Sequence, residues 1–186
     1  MKIMILGLLL WSLVHFIPSL APLLKKNWIS MLGEATYKIS FAVIIVLSLV
    51  LIVYGWRHST PSHLYTLPII IKPITVILML LAFVLFVAAK RPARIKTYIR
   101  HPQLMSIFVW SFAHLLSNGD SRSVVLFSWM GIWAVLEMIF INRRDGAWIK
   151  QPPPEWPKEF KGLTITFVIF VIVALAHPYI AGISLK

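Results

Sequence analysis

The chain has 186 residues, 59% of them hydrophobic and only 13% charged, with a mean hydropathy of +0.85, so a soluble globule would lack the polar surface to cover itself. A net charge of +12 would point to nucleic acid on a soluble protein; in a chain this apolar the charges report membrane orientation instead, and no nucleic-acid partner is expected. The absence of cysteine excludes disulfides, thiolate nucleophiles and thiolate metal sites.

A helix needs roughly 20 apolar residues to cross the bilayer core. Six such runs fall at approximately residues 3 to 23, 38 to 56, 73 to 90, 102 to 118, 122 to 142 and 162 to 182, separated by short polar connections. They predict an all-α polytopic membrane protein, a bundle of about six transmembrane helices in a single domain over residues 1 to 186. With six crossings the termini share a face with the second and fourth connections, which together carry Lys2, Arg57, Lys72, Arg122 and Lys186. The odd connections carry the other thirteen basic residues, among them Lys25, Lys26, Arg91, Arg94, Arg143 and Arg144. By the positive-inside rule the odd connections are cytoplasmic and both termini lie outside.

In the first helix Trp11, Ser12, His15, Pro18 and Ser19 share one face, and Pro18 and Pro22 bend or end it. Lys2 and the apolar run ending Ser19-Leu20-Ala21 imitate a secretory signal, but Pro22 after the supposed cut and the length of the run argue against cleavage. Gly33-Glu34-Ala35-Thr36-Tyr37-Lys38 opens the second helix, with Glu34 and Lys38 spaced for an i,i+4 pair. The second and third helices carry almost no polar atoms and read as lipid-facing walls. The loop from Arg57 to Tyr65 holds His58 and His63, a spacing ordinary for a wet loop and weak for a metal, in a position to cap a site. The basic run from Lys90 to His101 reads as a solvated face that also favours anionic headgroups, at about 1 kcal/mol per residue.

The fourth helix is framed by Arg100-His101-Pro102 and Asn118-Gly119-Asp120. Steps of three and four gather Gln103, Ser106, Trp110, Ser111, His114 and Asn118 on one side and Leu104, Phe108, Phe112 and Leu115 on the other. An ionisable ring within such a span is costly in hydrocarbon unless it faces protein, which makes His114 the first candidate for chemistry. Trp110-Ser111-x-x-His114 repeats Trp11-Ser12-x-x-His15, either by chance or as the trace of an inverted repeat. Counted from cytoplasmic ends near residues 24 and 102, His15 lies roughly 14 Å deep and His114 roughly 18 Å. Both imidazoles are thus expected near mid-membrane, facing each other across a planar cofactor. His101 lies at the interface, too shallow to partner His114.

On the fifth helix Glu137 stands about 8 Å from the Arg143-Arg144 end and is expected to snorkel towards those arginines. The segment Gln151-Pro152-Pro153-Pro154-Glu155-Trp156-Pro157 reads as a semi-rigid interfacial loop, with Trp148 and Trp156 as anchors. His177, near the outer end of the sixth helix, is a third-choice ligand.

Two mid-membrane histidines admit three readings: structural packing groups, a haem held by two imidazoles inside the bundle, or a proton or solute pathway. A hydrolase elbow, a phosphate loop and an H-E-x-x-H motif are all missing from the sequence.

His15 with Ile17-Pro18, Gly33-Glu34-x-x-Tyr37-Lys38, Arg100-His101-Pro102-Gln103-Leu104 and Trp110-x-x-x-His114-Leu115-x-x-Asn118-Gly119-Asp120 together resemble the NnrU family of membrane proteins, over the stretch from the first helix to about Arg144. The resemblance implies a bacterial inner-membrane protein with an accessory or redox role in nitrite and nitric oxide metabolism, beside respiratory nitrite and nitric oxide reductase components. Plant and cyanobacterial relatives are ζ-carotene cis/trans isomerases carrying b-type haem. The resemblance therefore also implies haem b, with His15 and His114 as iron ligands. Trp11, Trp110, Ser111, Asn118 and Asp120 are this reading's candidate supporting neighbours, with His101 a further one that orients the fourth helix. The isomerases use a thiol where this chain has Ser111. An isomerase acting on a hydrophobic polyene is the alternative function, and a cofactor-free structural membrane protein the third.

Overall fold

A computed structural model, in which residues 1–150 and 152–181 are described, contains six α-helices: α1 (Lys2–Leu20), α2 (Pro22–Arg57), α3 (Lys72–Ala89), α4 (Pro102–Ser117), α5 (Ser121–Asp145) and α6 (Trp156–Ala181). Gln151, Lys186 and the end of the sixth expected run fall outside the described residues. Five of these helices are long and apolar enough to cross a membrane. The exception, α4, has 16 residues and spans about 24 Å, short of a hydrocarbon core of roughly 30 Å. The architecture is that of a polytopic membrane bundle, as the hydrophobic runs require.

Helix α1 packs against α2 and α5, α5 against α4, α4 against α3, and α3 against α6. Met4 and Leu8 of α1 are fully buried with Ile52 of α2. The α1 and α2 backbones meet at glycines, and a Cβ on Gly55 would stand 2.3 Å from the Met4 nitrogen. Small residues at a helix contact allow such approach where no hydrophobic effect drives association. Along α1 and α5, Ser12 accepts from Trp129, His15 touches Trp133, and Ser19 donates to Glu137. The near-constant offset means that α1 and α5 run in the same direction.

The stretch before residue 38, expected as a connection, is helical. Its 36-residue helix is broken at Gly33, whose φ of 79° and ψ of 160° lie where only glycine sits without strain. Trp28 and Tyr37 would be about 13 Å apart along a straight helix, yet their ring centres are 5.1 Å apart. The break therefore folds the first segment back on the second. Leu23, Leu24, Met31 and Leu32 are exposed in that first segment beside Lys25 and Lys26, a composition suited to a membrane interface. The expected Glu34–Lys38 pair forms at 2.7 Å on an exposed surface, where it contributes little.

Exposed Val43, Val46 and Val50 of α2, Ile77 of α3, and Val168 and Ile172 of α6 form outer walls fit for lipid. Glu137 departs from expectation. It is buried and accepts a 2.9 Å hydrogen bond from Ser19 Oγ, while Arg144 donates to the Pro18 carbonyl and pairs with Asp145 at 2.7 Å. Because α1 and α5 lie side by side, a nearby hydroxyl serves the carboxyl group better than an arginine two turns away. Replacing Gly33 with Ala should destabilise the protein by about 1–3 kcal/mol, the usual cost of forcing a side chain into this backbone region, measured by thermal unfolding in detergent.

Candidate functional site

The two ends of α4 are fastened by the residues that frame it in sequence. At the basic end of the bundle, Pro102 occupies the first turn, His101 Nε2 donates to Asn142 Oδ1 at 2.9 Å, and Arg100 donates to the Gly146 carbonyl at 2.7 Å. His101 thus ties α4 to the end of α5. At the opposite end Asn118 donates to the His114 carbonyl at 3.0 Å, and Asp120 caps α5 by accepting from the Arg122 and Ser123 amides, each at 3.1 Å. Between them the Gly119 carbonyl accepts from the Leu64 and Tyr65 amides at 2.8 and 3.1 Å, and Tyr65 OH donates to the Leu115 carbonyl. A Cβ on Gly119 would lie 1.8 Å from the Tyr65 carbonyl oxygen, so the approach requires glycine. Burial, and then the charge of Asp120, raise the Tyr65 phenol above its ordinary pKa and keep it a donor. The loop with His58 and His63 covers this end; His63 pairs with Asp120 as an isolated antiparallel bridge.

A cavity of about 610 Å³ opens among α2 to α6, within the range of roughly 300–1,000 Å³ typical of small-molecule sites. Its wall takes Val53 and Trp56 from α2, Met79, Ala82, Phe83 and Phe86 from α3, and Ser106, Ile107, Trp110, His114 and Asn118 from α4. Ser123, Leu126 and Phe127 of α5 and Val173 and His177 of α6 complete it. The third helix is therefore a chamber wall as well as a lipid-facing one. Phe83 and Phe86, about one helical turn apart on the chamber side, went unnoticed in the sequence because they carry no polar atom to single them out.

His114 Nδ1 lies 2.9 Å from the Trp110 carbonyl, which can only accept, so Nδ1 carries the proton and Nε2 the lone pair. The ring stacks on Phe127 with centres 4.4 Å apart and lies 5.0 Å from the Trp110 ring. Its nearest imidazole neighbour is His177, whose ring centre is 6.5 Å away at 35° between planes.

His15 repeats this bond, with Nδ1 donating to the Trp11 carbonyl at 2.8 Å, so the two W-S-x-x-H segments share the same histidine-to-carbonyl link. Its surroundings differ. The ring sits among Trp11, Phe41 and Trp133, outside the cavity wall. The structure does not bring His15 and His114 face to face. Their contacts on α5, Trp133 and Phe127, are six residues apart, about 120° around that helix and about 9 Å along it. The expected equal depth placed the end of α1 near residue 24; α1 ends at Leu20, leaving His15 only about 8 Å from that end. Ser111 is buried beside Gly131, outside the cavity, and its Oγ has no hydrogen-bond partner. Trp11 also lies away from the cavity, with its indole N–H buried and unpartnered.

Arg122, at the covered end, places its guanidinium 4.5 Å over the Trp56 ring and 3.7 Å from Asp120. It is its Nε that faces Asp120, too far for a hydrogen bond, while another guanidinium nitrogen donates to the Trp56 carbonyl at 3.4 Å. Apolar walls and an imidazole fixed by its Nδ1 bond fit a planar, apolar group such as haem, with the half-buried Arg122–Asp120 pair at the covered end just outside the wall.

Fold and chamber together define a helical membrane protein with an apolar cavity among its helices. The NnrU protein profile matches residues 3–185, and the chain belongs to that family. The match runs well past Arg144, where the sequence motifs stop, and takes in α6 and His177. Among curated proteins and among solved structures, nothing matches the chain.

Substituting Gly119 with Ala should destabilise the fold by about 1–3 kcal/mol or more, as overpacking does. Gly131→Ala, whose added Cβ would approach no atom closer than 3.4 Å, should stay within about 0.5 kcal/mol of the parent. Thermal unfolding in detergent measures both.

Proposed function

We propose that this NnrU protein binds b-type haem in the chamber among α2 to α6 and acts as an accessory or redox protein of nitrite and nitric oxide metabolism in a bacterial inner membrane, with the odd connections cytoplasmic. One observation carries the reading: an apolar cavity of about 610 Å³ whose wall includes an imidazole with its Nδ1 already engaged. His114 would hold the iron through Nε2, since the Trp110 carbonyl fixes both the tautomer and the ring orientation. Phe127 and Trp110 pack against that imidazole and limit its rotation. Arg122, half-buried at the covered end and paired with Asp120, would be the cation nearest an acidic side arm there. Asn118 holds the last turn of α4 closed by bonding the His114 carbonyl. The surrounding aliphatic and aromatic side chains keep water out, which favours binding of a neutral diatomic or an electron-transfer role. A haem bound here supplies an iron that can change oxidation state and bind nitric oxide.

The apolar wall would equally receive a hydrophobic polyene, which keeps a haem-dependent isomerase as the second reading. Cells with and without the protein separate the two: altered nitric oxide turnover with an unchanged carotenoid profile supports the accessory role, and the reverse supports the isomerase.

Protein purified from a haem-replete host should show a Soret band and reduced α and β bands, and a pyridine haemochrome assay should identify haem b. His114→Ala should lower haem occupancy at least tenfold, a loss of about 1.4 kcal/mol or more in binding. A colourless protein from that host, or full occupancy in His114→Ala, would refute the assignment.

A further inference from the structure

We propose that His177 of α6 supplies the second axial imidazole to the iron held by His114; this rests on the haem reading above. The two side chains share one cavity wall although they come from helices far apart in the chain, α4 and α6. Their ring centres are 6.5 Å apart, with planes at 35°. An imidazole nitrogen sits about 2 Å from a bound transition metal, and the ring centre lies about 1 Å further back. Two imidazoles binding one ion from opposite sides would therefore have centres about 6 Å apart, close to the 6.5 Å found here.

His15 meets neither condition. It is outside the cavity, and its ring contacts, Phe41 and Trp133, belong to the packing of α1 against α2 and α5. His101 is committed to Asn142 at the basic end, and His58 and His63 lie in the covering loop. His177 is thus the one further histidine on the chamber wall. It also makes α6 part of the site, giving that helix a role beyond its packing on α3. The step is coordination alone: a ring-nitrogen lone pair of His177 would bind the iron, and no electron is transferred.

Electron paramagnetic resonance and absorption spectra of the oxidised, haem-loaded protein test the pairing. The parent should be low-spin and six-coordinate. His177→Ala should retain haem through His114 but convert most of the signal to high-spin, and free imidazole should restore the low-spin form. His15→Ala should leave the parent spectrum intact. A high-spin parent, or a His177→Ala protein that stays low-spin, overturns the pairing while leaving the haem reading in place. The same holds if His15→Ala alone produces the high-spin form. A parent that binds no haem overturns the haem reading, and the pairing with it. Should His177→Ala lose haem during purification, haem titrated into the apoprotein with and without free imidazole gives the same readout: imidazole-dependent low-spin binding supports the pairing, and low-spin binding without imidazole refutes it.

Discussion

The close contact between Gly119 and Tyr65 is the constraint on which the site depends. Helix α4 is too short to be held by the bilayer alone, so its position must come from its ends. At one end the Gly119 carbonyl accepts two loop amides with no room for a Cβ; at the other, His101 and Arg100 bond to the end of α5. Such bonds matter in a membrane protein because backbone groups left unsatisfied in hydrocarbon are costly. Pinned at both ends, α4 presents Trp110, His114 and Asn118 to the chamber at fixed depth.

From that position the chemistry follows with few further requirements. A carbonyl four residues back fixes the His114 ring, an aromatic ring from α5 stacks on it, and the opposite wall comes from α2, α3 and α6. Helix α5 is the divider. It carries Phe127 to the chamber and Trp133 to His15, so the two histidines with the same local hydrogen bond occupy different environments. The His15 cluster, with the half-buried Trp11 and the buried Trp133, belongs to the packing of the α1–α5 seam.

The bundle was legible because lipid leaves a spanning segment little choice but helix, and six apolar runs announce themselves. The break at Gly33 was harder, since a glycine before a Glu–Lys pair reads equally as a helix start and as a kink. His114 was legible as a polar ring in an apolar span. The motifs around it were legible as helix ends, but their tertiary role was not, because their partners Tyr65, Asn142 and Gly146 are distant along the chain. Pairing His15 with His114 depended on where α1 ends, and four residues of uncertainty amount to about 6 Å of depth. Local polarity singled out His15 and His114 as rings that face protein, and both are half-buried among aromatic side chains. It could not report which face of α5 each would meet.

An experimental structure of the protein purified with its chromophore tests the central claim most directly. The account predicts planar density in the chamber, against the His114 ring and within contact distance of the α2, α3 and α6 walls. Density on the other side of α5 beside His15, or a chamber filled only by an acyl chain, would contradict it.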